Sequence, residues 1–215
     1  MSRIYIYVLA RDFGFAPNPF HGFCSLATCK PKIRNTAKIG DWIFGVGGTK
    51  LKAVGRCIFA MKVTAKITFN EYWEGDEYID KKPVRNGSKK MLLGDNIYYH
   101  NIENNTWLQA HSHHSNIDGT LNEYNKNRDT QSSYVLLSNY FYYFGSSAPE
   151  IPANILNDIG YENKIGHRVF DFSKANDLTN WLEENYLNQL NLVMDDPFNF
   201  DKSNSHYSVE TNKVT

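Results

Sequence analysis

The chain has little of what common catalytic signatures require. Among 215 residues there are three cysteines, Cys24, Cys29 and Cys57, and none forms a CxxC pair. Neither a disulfide framework nor a zinc site is indicated, so no metal is expected. Cys24 and Cys29 are close enough in sequence to meet across a loop, but reduced, packed thiols are the expectation. No stretch approaches the roughly 18 apolar residues of a membrane span, and MSRIYIYVLARD becomes charged too soon for a secretory leader; a soluble, cytoplasmic protein is expected. Net charge is missing as well: Lys plus Arg and Asp plus Glu number 23 each. That balance excludes the global positive field with which proteins hold nucleic acid unselectively, so any nucleic-acid contact has to be local. Walker, GxGxxG, GxSxG and kinase motifs are all lacking, which removes support for triphosphate hydrolysis and dinucleotide redox chemistry and leaves no cofactor expected.

What is abundant is aromatic, with 14 Tyr and 13 Phe. Rings and β-branched runs favour a sheet-rich fold, and rings also stack on bases. The length suits one domain, read here as residues 1–195, followed by a polar, loose tail at 196–215. RIYIYVLA reads as a first strand, Asp41 to Val46 as another, and Ala53 to Trp73 as two strands or one bent strand with a bulge at Gly55. Residues 74–94 look like an exposed polar excursion. GDNIYYHN returns to strand character, and Ser132 to Gly145 is a further sheet segment. APEIPANILNDIG reads as a short helix, and ANDLTNWLEENYLNQL as an amphipathic one with Leu178, Trp181, Leu182, Tyr186 and Leu190 on a common face.

Three segments carry candidate chemistry. The ring-rich loop from Arg11 to Phe23 supplies Arg11 for a phosphate, Asp12 and Asn18 for a base edge, and Phe20 for stacking; a salt bridge over packed rings is the structural alternative. Lys30, Lys32 and Arg34 form a compact basic cluster suited to phosphate or to a plain solvated edge, and Trp42 suits a cage wall or the core. The third segment is HSHHSNIDGTLNEYNKNRD, from His111 to Asp129. HxHH lacks the helical spacing of a HExxH metal site. His114 and Asp118 could pair for acid–base work if the chain turns at Gly119, whereas Ser112, His114, Asp118 and Asn122 are also short donors and acceptors suited to a sugar or a base.

Two family resemblances bear on these residues. ATCKPKIRNTAKIGDWIFGVGG leading into AVGRCIFAMKVTAKITF, over about residues 24 to 70, is similar to the PUA-like superfamily in its EVE and YTH branches. That resemblance implies an α+β fold built on a small twisted β-barrel with flanking helices. ARDFGFAPNPFHGFCSLATCKPKIR, KIGDWIFGVGG, FNEYW, GDNIYYH, HSHHSNIDG and YFYYFG, in that order, resemble the nucleotide-modification-associated domain family of the second type, whose members occur beside DNA-modification genes in phages and bacteria. This second resemblance implies a context of modified nucleotides rather than a reaction. The leading expectation is a pocket binding a modified nucleotide or base, free or flipped from DNA. The alternatives are an enzyme using His114 and Asp118, and a protein-interaction module.

Overall fold

The computed structural model describes residues 2–101 and 103–215. In chain order the strands are β1 (Arg3–Leu9), β2 (Cys24–Leu26), β3 (Trp42–Gly47), β4 (Cys57–Lys62), β5 (Ala65–Thr68), β6 (Tyr98–His100), β7 (Trp107–Gln109), β8 (Tyr134–Ser138), β9 (Phe141–Tyr143), β10 (His167–Asp171), β11 (Tyr207–Ser208) and β12 (Lys213–Val214). The helices are α1 (Pro31–Thr36), α2 (Phe69–Glu74), α3 (Lys89–Leu92), α4 (Glu123–Asp129), α5 (Ala153–Asp158) and α6 (Phe172–Tyr186).

The larger sheet has the order β10-β1-β3-β4-β9, and β1 and β3 are its parallel pair. RIYIYVL looks alternating on paper, yet Ile4, Tyr5, Ile6 and Tyr7 are all buried. Both faces of this central strand are therefore covered, as is usual where parallel strands pair. Helix α6 packs on β1 and β10 and buries Ala175, Leu178 and Leu182. Gly45 in β3 is required by packing, because a Cβ there would stand 2.1 Å from the Phe59 ring and 2.4 Å from Leu9. The register between β3 and β4 shifts at Gly45/Val46. The bulge expected at Gly55 thus lies elsewhere, and Gly55 instead takes a positive φ of 77° in the turn before β4.

The second sheet, β2-β8-β5, packs over its own apolar cluster, which includes Phe15, Phe20, Phe69, Tyr98 and Val135. The chain passes between the two sheets four times, and two of these links, β4 to β5 and β8 to β9, are short. β4 pairs with β9 and β5 with β8, and at the bend between them the regular ladder gives way to single bonds from the Lys62 N–H to the Tyr140 carbonyl (3.0 Å) and from the Thr64 N–H to the Leu137 carbonyl (2.9 Å). A barrel needs that ladder to run on around the closure. The twisted barrel expected from the sequence is therefore corrected to a mixed α+β arrangement of separate sheets, with no closed barrel among the described residues.

Three further expectations are revised. Residues 69–74 are helical rather than extended, because Thr68 and Glu71 form a reciprocal capping box that starts α2. The polar excursion is anchored from within: Lys81 is fully buried, and its ammonium donates to the Asn18 carbonyl (3.0 Å), Asn18 Oδ1 (3.0 Å) and the Phe23 carbonyl (2.8 Å). Burial pulls this amine down to about 8. The residues read as a loose tail fold back as the β11–β12 hairpin. The Tyr207 N–H donates to the His113 carbonyl and the Val209 N–H to Asn125 Oδ1, each at 2.8 Å. No described helix is long and apolar enough to cross a membrane.

Candidate catalytic centre

The site is assembled where β2 runs out and the histidine loop returns. Just before α1, Cys29 and Lys30 both adopt left-handed backbone, with φ of 56° and 39°. Two successive non-glycine residues in that region are costly and persist only where surrounding contacts dictate them. Here the contacts are explicit. The Cys29 N–H donates to Asp129 Oδ1 at 2.7 Å, and Arg34 Nε donates to the Cys29 carbonyl at 2.9 Å. Arg34 also donates to the Tyr134 carbonyl at 2.6 Å and to the Asp129 carbonyl.

His114 sits between Cys29 and Asp129. Its Nδ1 is 2.7 Å from Asp129 Oδ2, and its Nε2 is 3.9 Å from Cys29 Sγ. An ionised carboxylate can only accept, so Nδ1 carries a proton and Nε2 is the atom left to exchange one with sulfur. Tyr98 donates to the same Oδ2 at 3.0 Å, which fixes the carboxylate from β6. The His114 carbonyl accepts from Gln109 at 3.1 Å and from Asn125 at 2.8 Å, and the Phe15 ring lies 4.7 Å from the imidazole. His114 and Asp129 are buried and Cys29 is half-buried, so of the three only Cys29 has appreciable exposure.

Electrostatics separates the two adjacent histidines. Burial alone would strip the proton from His114, but the Asp129 carboxylate and the Cys29 sulfur outweigh it and raise the imidazole to about 10. Burial likewise disfavours the Asp129 anion, yet His114, Arg34 and the Cys29 N–H hold the carboxyl below its ordinary value. His113 lies between Phe13 and Phe15 with Nδ1 2.7 Å from the Ser205 carbonyl. Burial, helped by the charge on His114, pushes it down to about 3.

Cys29, His114 and Asp129 also offer sulfur, imidazole and carboxylate atoms within 4.8 Å of one another. As arranged, Asp129 Oδ2 is bound to His114 Nδ1 and to the Tyr98 hydroxyl, so the carboxylate is committed to orienting the imidazole. The set fits a nucleophile, a proton carrier and an orienting carboxylate instead.

The residues singled out from sequence are distributed unevenly around this centre. Lys30 and His114 belong to it. Asp118 does not pair with His114: it is exposed and accepts from the Thr120 N–H and hydroxyl at 3.0 and 2.6 Å. Asn122 caps α4, accepting from the Asn125 N–H at 2.9 Å, and that helix carries Asp129 back beneath His114. Ser112 is buried, with its hydroxyl accepting from the His114 N–H. Arg34 is corrected from a phosphate contact to a fully buried brace, and Lys32 remains exposed. Arg11 donates twice to Asn212, at 3.0 and 2.7 Å. Asp12, whose carboxyl burial raises, accepts from Tyr143 at 2.6 Å. Asn18 and Phe20 are buried, so the loop from Arg11 to Phe23 spends its groups on internal structure rather than on an open base-reading pocket. Trp42 is core, 2% exposed, and lies against Phe44 and Tyr140.

A polar cleft of about 590 Å³ lies between the 115–122 loop and the β11–β12 hairpin, lined by Asp118, Asn122, His206 and Tyr207 among others. Its lining includes neither Cys29 nor His114, and the Tyr207 ring stands 5.7 Å from the imidazole. Size alone would favour that cleft, but the groups able to do chemistry are at Cys29. Sequence reasoning missed Cys29, Tyr98 and Asp129. The available signal was a lone cysteine ahead of Lys-Pro and a second acid at the far end of the histidine segment.

In comparisons with known proteins, the model of the family described as nucleotide modification associated domain 2 matches residues 1–204. No match was found among curated proteins or among solved structures.

Proposed function

We propose, from the premise that the chain belongs to the nucleotide modification associated domain 2 family, that it is an enzyme acting on a nucleotide or a nucleic-acid base through Cys29. The observation that carries this is the line Cys29 Sγ, His114 Nε2, His114 Nδ1, Asp129 Oδ2, in which only Cys29 is not fully buried. In this reading the proton shared by the Cys29–His114 pair rests on Nε2 while the sulfur electron pair forms a bond to an electrophilic sp² carbon of the substrate. The π pair of that carbon moves onto its neighbouring heteroatom or conjugated atom, and the proton is returned there or to the leaving group. Asp129 keeps the imidazole oriented and balances its charge. A gap of 3.9 Å between sulfur and nitrogen is loose for proton transfer, as in many empty sites that tighten around their substrate.

The competing reading, a pocket that binds a modified base without turnover, shares the ligand and differs in outcome. The test is incubation of the full chain with a panel of ordinary and modified nucleotides and short oligonucleotides, with mass spectrometry of both protein and ligand. An altered ligand or a Cys29 adduct, absent in Cys29→Ala and His114→Gln, is expected. A ligand that binds and is recovered unchanged, with Cys29 unmodified, assigns the chain to the binding role instead.

A further inference from the structure

Lys30 comes directly after Cys29 and shares its left-handed turn. It is half-buried, and its ammonium lies 4.2 Å from the centroid of the Tyr7 ring. Among the described residues, that ring is the one partner the ammonium has. It donates no hydrogen bond and joins none of the ion pairs. A ring face offsets only part of the hydration that such a cation gives up. The charged side chains around it do not supply the remainder: the Cys29 sulfur favours the ammonium, but Arg128 presses on it from α4, and beside burial Lys30, Lys32 and Arg168 all disfavour the charged form of His167. Asp129, the carboxylate of the centre, is buried and committed to His114, Tyr98 and the Cys29 N–H. Apart from the Cys29 sulfur itself, no anionic side chain pairs with the cations gathered beside half-buried Cys29, and Lys30 is the one adjacent to it in the chain.

We infer that Lys30, with Lys32 and Arg128 flanking it, forms an anion subsite next to Cys29 that takes a phosphate group of the substrate. The inference rests on Cys29 being the reacting atom, and it names the substrate class as phosphorylated: a free nucleotide or a strand whose backbone supplies the phosphate. The balanced total charge fits a single local contact of this kind rather than tracking along a duplex.

The test compares alkylation of Cys29 by iodoacetate, an anion, with alkylation by neutral iodoacetamide. It uses the full chain at low salt and reads peptides by mass spectrometry. Relative to the same thiol in the unfolded chain, the folded protein is expected to favour iodoacetate by about fivefold, the order that one or two cations within about 6–8 Å give in a water-like dielectric. Lys30→Gln should lose that preference, Lys30→Arg should keep it, and high salt should erase it. Rapid reaction with iodoacetamide but no preference for the anion overturns the subsite and leaves the nucleophile standing. If neither reagent reaches Cys29, the nucleophile reading fails, and inorganic phosphate decides the subsite by phosphorus NMR. Binding by the wild type that Lys30→Gln abolishes upholds it, and equal or absent binding rejects it. Protection of Cys29 by a nucleoside monophosphate but not by its nucleoside identifies a free nucleotide as the source. Protection by an oligonucleotide alone identifies a strand.

Discussion

Replacing Asp129 with Asn removes one negative charge from a buried centre that holds two cationic groups, His114 and Arg34, and leaves the shape nearly unchanged. Breaking a buried charge pair from one side costs about 3–5 kcal/mol, because the partner charge stays behind. For a chain of this length that corresponds to a fall in Tm of about 6–20 °C. The loss should also depend on pH, with a definite sign. His114 titrates near 6.5 when unfolded and near 10 when folded, so between those values the folded chain holds a proton that the unfolded chain has released. The stabilisation from the pair is therefore complete below about pH 6.5 and declines as pH rises toward 10, with a slope of at most about 1.4 kcal/mol per pH unit. In Asp129→Asn the imidazole loses the anion that kept it protonated, and the slope should vanish. Urea unfolding of both proteins at several pH values between about 6 and 10 measures this. The gap should be widest at the acid end and narrow steadily toward the alkaline end. A gap below about 1 kcal/mol throughout, or one that stays constant with pH, would show that His114 and Asp129 are not an ion pair in the folded chain.

The other histidine gives the opposite sign. His113 is held neutral with its pKa near 3, so its contribution is present above about pH 6.5 and is lost as pH falls toward 3. His113→Gln should flatten that acid limb, which urea midpoints measured between about pH 4 and 7 would reveal. Lys81→Met should destabilise by about 1–3 kcal/mol in urea, since it takes the ammonium from the Phe23 carbonyl and leaves Asn18 only its Ser25 and Phe20 donors. Gly45→Ala should cost at least about 1–3 kcal/mol, because the Phe59 ring would have to leave its place in the sheet core. Cys29→Ala, by contrast, should unfold within about 1 kcal/mol of wild type, because it trims one atom from a half-buried residue, and should abolish any conversion of the ligand seen with the wild type.

How much of the molecule is legible in its sequence depends on the distance over which each feature is decided. Strands β1, β3, β4 and β8 and helix α6 announce themselves by short-range periodicity, and the mixed α+β class rests on them. The closed barrel does not, since closure depends on whether β4–β9 and β5–β8 share a ladder, a question of pairing rather than of pattern. At the site, Asp118 is four residues from His114 and by spacing alone resembles its partner, but the Thr120 N–H and hydroxyl capture its carboxylate locally. The real partner is Asp129, brought back by a helix whose start Asn122 caps. Cys29 lies 85 residues before His114 and 100 before Asp129 in the chain. No periodicity in one sequence reports contacts over such separations. The basic trio is legible as a cluster, yet burial assigns its members different work: Arg34 braces the turn, Lys32 is solvated, and Lys30 is packed over the Tyr7 ring beside Cys29.

The hairpin at residues 207–214 has a bearing on how the molecule comes into being. Its backbone supports His113 from outside, and Asn199, shortly before it, ties the same stretch of chain to Asp12 beyond the first strand. The histidine loop is therefore finished only once this hairpin has left the ribosome. Until then the His113 carbonyl and Asn125 lack their hairpin donors, so the loop that holds His114 against Asp129 is not yet braced in the nascent chain.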